Sequence, residues 1–278
     1  MFFKGVFSSV NDLTAEEVRT YLAENPPDSF MLVDVRTPEE YKQAHLYGAS
    51  LLPASELPER LSGLDPEKPL IVYCASGTRS RAAANLLRGQ QFKKVFNLKG
   101  GIRAWQGVSA SGPPDFGLGI FRDRDTPAQL TALAYGLEEG SRLFYLAMAE
   151  SSLDKETKGL FESLAEVEDL HKDNLFGLYL SLTGEPVSRE DFEAHVIRTT
   201  TLEGGFPIDD FLAEQRGKNN PPTHPLDLAL SLEVQALDLY LRFLQKLDDE
   251  DNRQIISKII RDEKKHLTHL GRMMGKKI

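Results

Sequence analysis

Cysteine is nearly absent from this sequence, since its 278 residues include one, Cys74. No disulfide can form within the chain, and any metal site built from paired cysteines is excluded. A single thiol suits a reducing compartment, and we therefore expect a cytoplasmic protein.

Long apolar runs are also lacking. No stretch approaches the roughly 18 consecutive apolar residues of a membrane-spanning helix. The start of the chain, MFFKGVFSSV, has a short apolar run and one lysine, and we expect no signal peptide there. The composition, 41% hydrophobic and 27% charged, is ordinary for a globular protein. At this length we predict two domains and no membrane partner.

Positive charge is scarce in the second part of the chain. Residues 1–110 hold 13 Lys or Arg and 12 Asp or Glu, whereas residues 111–278 hold 20 and 30. Phosphate binding needs a basic surface, so this acidic excess argues against nucleic acid as a partner.

The hydrophobic pattern changes near residue 110. Before that point, short β-like runs alternate with helical stretches, a pattern typical of a parallel sheet flanked by helices. We predict an α/β domain over residues 1–108 and a Gly-, Ser- and Pro-rich linker over 109–124. Four long helical stretches follow within 125–278, with a crossover between the second and the third, and they predict an all-α four-helix bundle. The β-like runs are 30–35, 69–74 and 94–98, and the long helical stretches are 125–151, 154–182, 224–247 and 250–274.

The main chemical signal of the first part is the segment CASGTR, from Cys74 to Arg79, between an apolar strand and a helix. Unpaired N–H groups and the dipole at a helix start favour an anion, so the pKa of the Cys74 thiol should fall. Arg79 adds positive charge, and Gly77 lets the loop close over the sulfur. The alternative is a small buried hydrophobe, a common role of a lone cysteine. We predict a nucleophilic cysteine that carries an anionic group. The loop residues are Ala75, Ser76, Gly77 and Thr78.

Residues 8–107 resemble the single-domain rhodanese sulfurtransferases. The resemblance rests on LVDVRTPEEY (32–41), HLYGAS (45–50), the CASGTR loop and NLKGGIRAW (97–105). It implies that Cys74 accepts sulfane sulfur from a donor as a persulfide and passes it to a thiophilic acceptor, with Arg79 at the loop. Asp34 and Arg36 match the DxR motif of the family and are expected to brace the loop.

Two Glu-x-x-His pairs, Glu168 with His171 and Glu263 with His266, occur in the second part. A spacing of three places both side chains on one face of a helix. The second pair lies 95 residues after the first, and this offset predicts an internal repeat of two helix pairs.

Two further glutamates, Glu138 and Glu233, are also 95 residues apart. Glu138 precedes Glu168 by 30 residues, and Glu233 precedes Glu263 by 30. Any one of these glutamates alone would be read as a solvated helix residue, but the repeated set predicts a site for two metal ions. Tyr145 and its repeat counterpart Tyr240, if buried, would need hydroxyl partners, for which a ligand carboxylate is the obvious choice. The predicted metal ligands are Glu138, Glu168, His171, Glu233, Glu263 and His266.

Residues 125–274 resemble the rubrerythrin branch of the ferritin-like superfamily. The match includes Glu138 with Phe144 and Tyr145, and the segment LAEVEDLH (164–171). It implies a ferritin-like four-helix bundle with a di-iron site that reacts with peroxide or oxygen; manganese and zinc stay open. The chain departs from the family in lacking a four-cysteine module, and in having Ala236 where many members have an extra glutamate. Electrons would therefore come from an external donor or from sulfur chemistry.

The leading prediction is an enzyme that joins a sulfurtransferase to a di-iron oxidoreductase. We also expect a homo-oligomer, specifically a dimer. One alternative is a carrier that stores persulfide and iron without redox turnover. The other is a rhodanese presented by a structural helical dimerisation module.

Overall fold

The computed structural model describes residues 11–122, 125–196 and 225–273, together with positions 202, 204, 205, 207 and 209. The chain divides into two compact units, Met1–Pro114 and Asp115–Ile278. We call them the α/β unit and the helical unit. Among the described residues, no helix combines the length and the apolar character needed to cross a membrane.

Five parallel strands form the sheet of the α/β unit, in the order β1-β5-β4-β2-β3. The predicted parallel α/β architecture is confirmed. Three strands match the predicted runs, whereas β1 and β3, with three and two residues, are too short to show a period in the sequence. The strands are β1 (Asn11–Leu13), β2 (Met31–Asp34), β3 (Ser50–Leu51), β4 (Leu70–Tyr73) and β5 (Val95–Leu98).

Helices cover both faces of this sheet. Val18 of α1 and Trp105 of α4 belong to one buried apolar cluster, and Ala84 and Leu87 of α3 belong to another. Such coverage explains why the central strand, β4, is buried along its whole length. The helices are α1 (Ala15–Glu24), α2 (Pro38–Gln43), α3 (Thr78–Gly89) and α4 (Ile102–Trp105), and a 3₁₀ turn occupies Leu61–Gly63.

The segment predicted as a linker is packed. Ala110 pairs with His45 through backbone hydrogen bonds of 2.8 and 2.9 Å, within the α/β unit. Further along, Arg242 donates to the Phe116 carbonyl at 2.8 Å, and the Phe121 ring stacks on Phe243, within the helical unit. The Gly, Ser and Pro content of the segment thus marks irregular backbone, with a 3₁₀ turn at Leu118–Ile120, and the unit boundary falls inside it.

The second unit is largely helical. α5 packs along α6, α8 packs along α9, and the two pairs meet through contacts of α9 with α5 and of α6 with α8. A short helix, α7, lies inside the predicted crossover, and its Phe192 is buried against Tyr135 and Tyr179. The first residue of the third predicted helix, residue 224, lies outside the described residues. The helices are α5 (Pro127–Ser151), α6 (Lys155–Thr183), α7 (Arg189–His195), α8 (Pro225–Leu244) and α9 (Glu250–Met273).

Candidate functional sites

Cys74 lies where β4 ends and the loop to α3 begins, with 1% of its surface exposed. The backbone N–H of Gly77 donates to Cys74 Sγ at 3.1 Å, and Ser80 Oγ lies 3.4 Å from the same sulfur. Gly77 precedes the first residue of α3 with a φ of +90°, a conformation that favours glycine. The loop therefore turns back over the sulfur, as predicted for Gly77.

These donors decide the charge of the sulfur. Burial raises the pKa of the Cys74 thiol, but the hydroxyl and N–H of Ser80 and the N–H groups of Ser76 and Gly77 outweigh it and lower the pKa below its ordinary 9.0. The Ser80 hydroxyl also lies 2.6 Å from Asn97 Oδ1, so its single proton is shared between that oxygen and Cys74 Sγ. The arrangement stabilises a thiolate, the reactive form of cysteine.

Gly100 and Gly101, which follow β5, lie against the backbone of the cysteine loop. Gly101 has a φ of +61°, and a Cβ there would lie 2.2 Å from the Cys74 carbonyl oxygen. The N–H of Ile102 donates to that oxygen at 2.8 Å, and the N–H of Arg103 donates to the Ala75 carbonyl at 3.2 Å. Only a residue without a side chain lets the two backbone segments approach this closely.

Asp34 and Arg36 form a buried ion pair beside the strand that ends at Cys74. Arg36 Nε and Nη2 donate to the Asp34 carboxylate at 2.7 to 3.0 Å. The guanidinium lies 5.7 Å from the ring centre of Tyr73, the residue before Cys74. This geometry fits the predicted bracing role, because both charges are compensated inside the fold.

Arg79, by contrast, is half-exposed and paired at the surface. Its Nη1 and Nη2 donate to the two carboxylate oxygens of Glu40 at 2.8 and 2.7 Å. The hydrogen bond from Arg79 is the main cause that lowers the pKa of Glu40 to about 2. Ser76 and Thr78 are exposed, and Thr78 begins α3. The sequence motifs did not single out Glu40 or Ser80 as part of the site, although Glu40 lies within LVDVRTPEEY and Ser80 directly follows the CASGTR loop.

All six predicted metal ligands meet in the interior of the helical unit. They form three overlapping groups, in each of which the ligand atoms lie within 4.8 Å of one another. The four carboxylates and one imidazole are buried, and the His171 side chain is 16% exposed. The groups are Glu168, His171 and His266; Glu138, His171 and Glu263; and Glu233, Glu263 and His266. We call these six residues the carboxylate cluster.

Each imidazole of the cluster faces carboxylates. His171 Nδ1 lies 3.4 Å from Glu138 Oε2 and 3.3 Å from Glu168 Oε2. His266 Nδ1 lies 3.0 Å from Glu233 Oε2. The two rings meet edge to face, with their centres 4.8 Å apart. Both halves of the sequence repeat therefore contribute to one centre.

Tyr145 joins the two halves. Its hydroxyl donates to Glu233 Oε1 at 2.9 Å, as the sequence predicted for a buried tyrosine beside a ligand carboxylate. Tyr240, its counterpart in the repeat, is also fully buried. The bond leaves Glu233 Oε2 directed toward His266.

The charges within the cluster are strongly perturbed. Burial, and then the charge of Glu168, raise the pKa of Glu138 to about 8. Burial opposes the charged form of His171, but the hydrogen bonds and charges of Glu138 and Glu168 outweigh it and raise its pKa to about 12. The protein thus holds protons at positions where cations would relieve the same charge.

The cluster fits metal ions on its own geometry. His266 Nε2 is buried and has no hydrogen-bond partner within the described part of the chain, and the buried Oε2 atoms of Glu138 and Glu233 each face an imidazole nitrogen. Buried carboxylates without compensation cost several kcal/mol each. Carboxylate and imidazole are also the donor types that suit iron, manganese and zinc.

A pocket opens onto the cluster, with a cavity volume of about 20 Å³, enough for roughly one water molecule. Glu138, His171 and Glu263 contribute to its lining, together with the apolar side chains of Leu175 and Ile259. Asn174 and Lys258, which also line it, are exposed, so the pocket connects the cluster with the surface.

The end of a parallel strand, followed by a cysteine loop at the start of a helix, is an arrangement suited to binding an anion beside a thiolate. The rhodanese-like domain family matches residues 14–107. A protein named sulfurtransferase from Allochromatium vinosum is 38% identical over 96 residues, which cover 34% of this chain and 88% of that protein. The thiosulfate sulfurtransferase GlpE of Ectopseudomonas mendocina is 30% identical over 105 residues, which cover 38% of this chain and 90% of that protein.

Among solved structures, a rhodanese-like domain protein from Staphylococcus aureus is similar, with 29% identity and a TM-score of 0.33. The match covers 34% of this chain and 91% of that one. The chain belongs to the rhodanese family, and these relatives support sulfurtransferase function. The matched family region ends at residue 107, so it concerns the α/β unit.

Proposed function

We propose that the α/β unit transfers sulfane sulfur through a persulfide on Cys74. The observation that carries this proposal is the sulfur atom held by the Gly77 N–H and the Ser80 hydroxyl, which stabilise a thiolate. The relatives named for sulfur transfer support the same chemistry.

The transfer takes two displacements. The Cys74 thiolate attacks the sulfane sulfur of the donor, the bond between that sulfur and the rest of the donor breaks, and the leaving group takes the electron pair. With thiosulfate the leaving group is sulfite. A thiophilic acceptor then attacks the terminal sulfur of Cys74–S–S⁻, and the thiolate is restored. The N–H groups that hold the thiolate are placed to hold the persulfide anion as well.

Replacement of the nucleophile tests this proposal. We expect Cys74→Ser to abolish thiosulfate-to-cyanide sulfur transfer, and we expect thiosulfate to add the mass of one sulfur atom to the wild-type chain only. The near-isosteric serine should leave the fold and the metal content unchanged. Sulfur transfer by the Cys74→Ser variant at the wild-type rate would contradict the proposal.

We further propose that the helical unit is a ferritin-like bundle whose carboxylate cluster holds two metal ions, iron in preference. When bound, a pair of iron ions supplies redox chemistry toward peroxide or oxygen. The convergence of four buried carboxylates and two imidazoles, whose ligand atoms lie within 4.8 Å of one another in each of three groups, is the observation that carries this proposal. Tyr145 donates to Glu233 Oε1 and so orients this carboxylate, and the pocket at Glu138 and His171 is the route that we propose for a small oxidant. An external reductant would complete the cycle.

Metal analysis tests the second proposal. After anaerobic purification, we expect about two iron ions per chain, as the two-metal ligand set implies, and an absorption change on addition of peroxide. Glu168→Gln should lose metal, whereas Glu166→Gln, an exposed position on the same helix, is the matched control and should keep it. No transition metal in the wild type, or equal metal content in the two variants, would leave the helical unit with a structural role.

A further inference from the structure

Three arginines surround the cysteine loop, and each is paired with a carboxylate. One pair is buried beside β4, and the other two lie at the surface. Because rhodanese donors carry negative charge, the pairing decides how much positive charge a donor meets. The pairs are Arg36 with Asp34, Arg79 with Glu40, and Arg81 with Asp12.

Arg79 and Glu40 form a bidentate ion pair. The two terminal guanidinium nitrogens donate to the two carboxylate oxygens, which is the strong bidentate form of this interaction. Glu40 is also fixed on its own helix, since its Oε2 accepts from the Thr37 N–H at 3.1 Å. Its low pKa keeps Glu40 ionised at any neutral pH. The charge of Arg79 is therefore compensated before a donor arrives.

We propose that Glu40 determines donor specificity by compensating Arg79, which weakens binding of doubly charged sulfur donors relative to singly charged ones. Alkyl persulfides have a singly charged sulfane end and belong to the favoured class, whereas thiosulfate is a dianion. Glu40 is a positioning and electrostatic residue in this proposal and does not touch the reacting sulfur. The inference rests on the proposed persulfide chemistry of Cys74.

Two simple donors separate charge from chemistry. Thiosulfate gives Cys74–S–S⁻ and sulfite, whereas methanethiosulfonate gives the same persulfide and methanesulfinate. In both reactions the sulfur–sulfur bond of the donor breaks and the electron pair stays with the leaving group. The donors differ by one unit of charge, and no other reactant is needed for this half-reaction.

Glu40→Gln removes the charge and keeps a side chain that can still accept from the helix start. Loss of one negative charge beside the loop should strengthen binding in proportion to the charge of the donor, and so more for a dianion than for a monoanion. We expect KM to fall about tenfold for thiosulfate and about threefold for methanethiosulfonate, with kcat nearly unchanged. Glu39→Gln, on the same helical turn and exposed, is the control for net charge and should change the ratio of the two KM values little.

The outcomes are distinct. A ratio of KM values that moves in Glu40→Gln and not in Glu39→Gln supports the proposal. An unchanged ratio, or a rise of both KM values because Arg79 has lost its orientation, overturns it, provided that thermal melting shows the variant folded. Failure of the underlying sulfur-transfer function would appear separately, as wild-type protein that forms no persulfide with either donor.

Discussion

In the α/β unit, the buried charges have partners that the chain itself provides, whereas in the helical unit buried carboxylates face one another. Cys74 Sγ accepts from Gly77 and lies beside the Ser80 hydroxyl, and Asp34 is paired with Arg36. In the carboxylate cluster, two imidazoles stand against four buried carboxylates, and His266 Nε2 has no hydrogen-bond partner within the described residues. On the proposed metal binding, the metal affinity and the folding stability of the helical unit should therefore be linked.

The largest loss of folding stability should come from breaking the buried ion pair between Asp34 and Arg36. Asp34→Ala leaves the Arg36 guanidinium buried without its counter-charge, and we expect a loss of about 3–5 kcal/mol in the free energy of unfolding. Denaturant unfolding of the full chain measures this. Glu56→Ala breaks the exposed pair with Arg60 and should cost at most about 1 kcal/mol. Equal losses in the two variants would contradict the comparison.

A carboxylate of the cluster should respond differently. Since the pKa of Glu138 is raised to about 8, this side chain is largely protonated at pH 7 in metal-free protein, and Glu138→Gln replaces one neutral group by another. We expect the free energy of unfolding of the metal-free variant to stay within about 1 kcal/mol of the wild type. In metal-loaded protein, the same change should be destabilising. Thermal melts with and without a chelator measure the sign. Equal destabilisation in both states would show that the cluster is satisfied without metal.

A smaller effect is expected at the thiol. Ser80→Ala removes the Ser80 hydroxyl beside Cys74 Sγ, one of the groups that lower the pKa of the thiol, so the pKa of Cys74 should rise. A higher pKa means less thiolate at pH 7, and alkylation by iodoacetamide should be slower there. The rates should converge at a pH well above both pKa values. An alkylation profile identical to that of the wild type would show that the backbone N–H groups alone hold the sulfur.

Local patterns predicted much of both sites, and contacts distant in sequence were beyond them. The cysteine loop could be placed because an apolar strand and a helix flank Cys74 directly. The cluster could be assembled because the 30-residue and 95-residue spacings select Glu138 and its counterparts on consecutive helices. The bonds of Arg79 to Glu40 and of Ser80 to Asn97 join residues 39 and 17 positions apart in sequence. No helical or strand period carries such information.

The segment predicted as a linker also shows that sequence patterns do not reveal tertiary contacts. Its Gly, Ser and Pro content led to the prediction of a linker, but composition says nothing about which residues pack. Phe121 and Ala110 lie in this segment and are both buried, because aromatic stacking on Phe243 and backbone pairing with His45 hold them. Irregular backbone and independent backbone are different properties, and the sequence pattern reports only the first.

Tyr145, from the first helix pair, bonds to Glu233, from the second, and two of the three ligand groups draw on both pairs. Since one covalent chain holds both pairs, each presents its ligands to the other at a fixed effective concentration, whatever the dilution of the protein. Assembly of the cluster is accordingly a first-order event, and on the proposed metal binding its affinity for metal should not decline as protein concentration falls. A centre shared between two separate chains would lose its ligands on dilution, and this one would not.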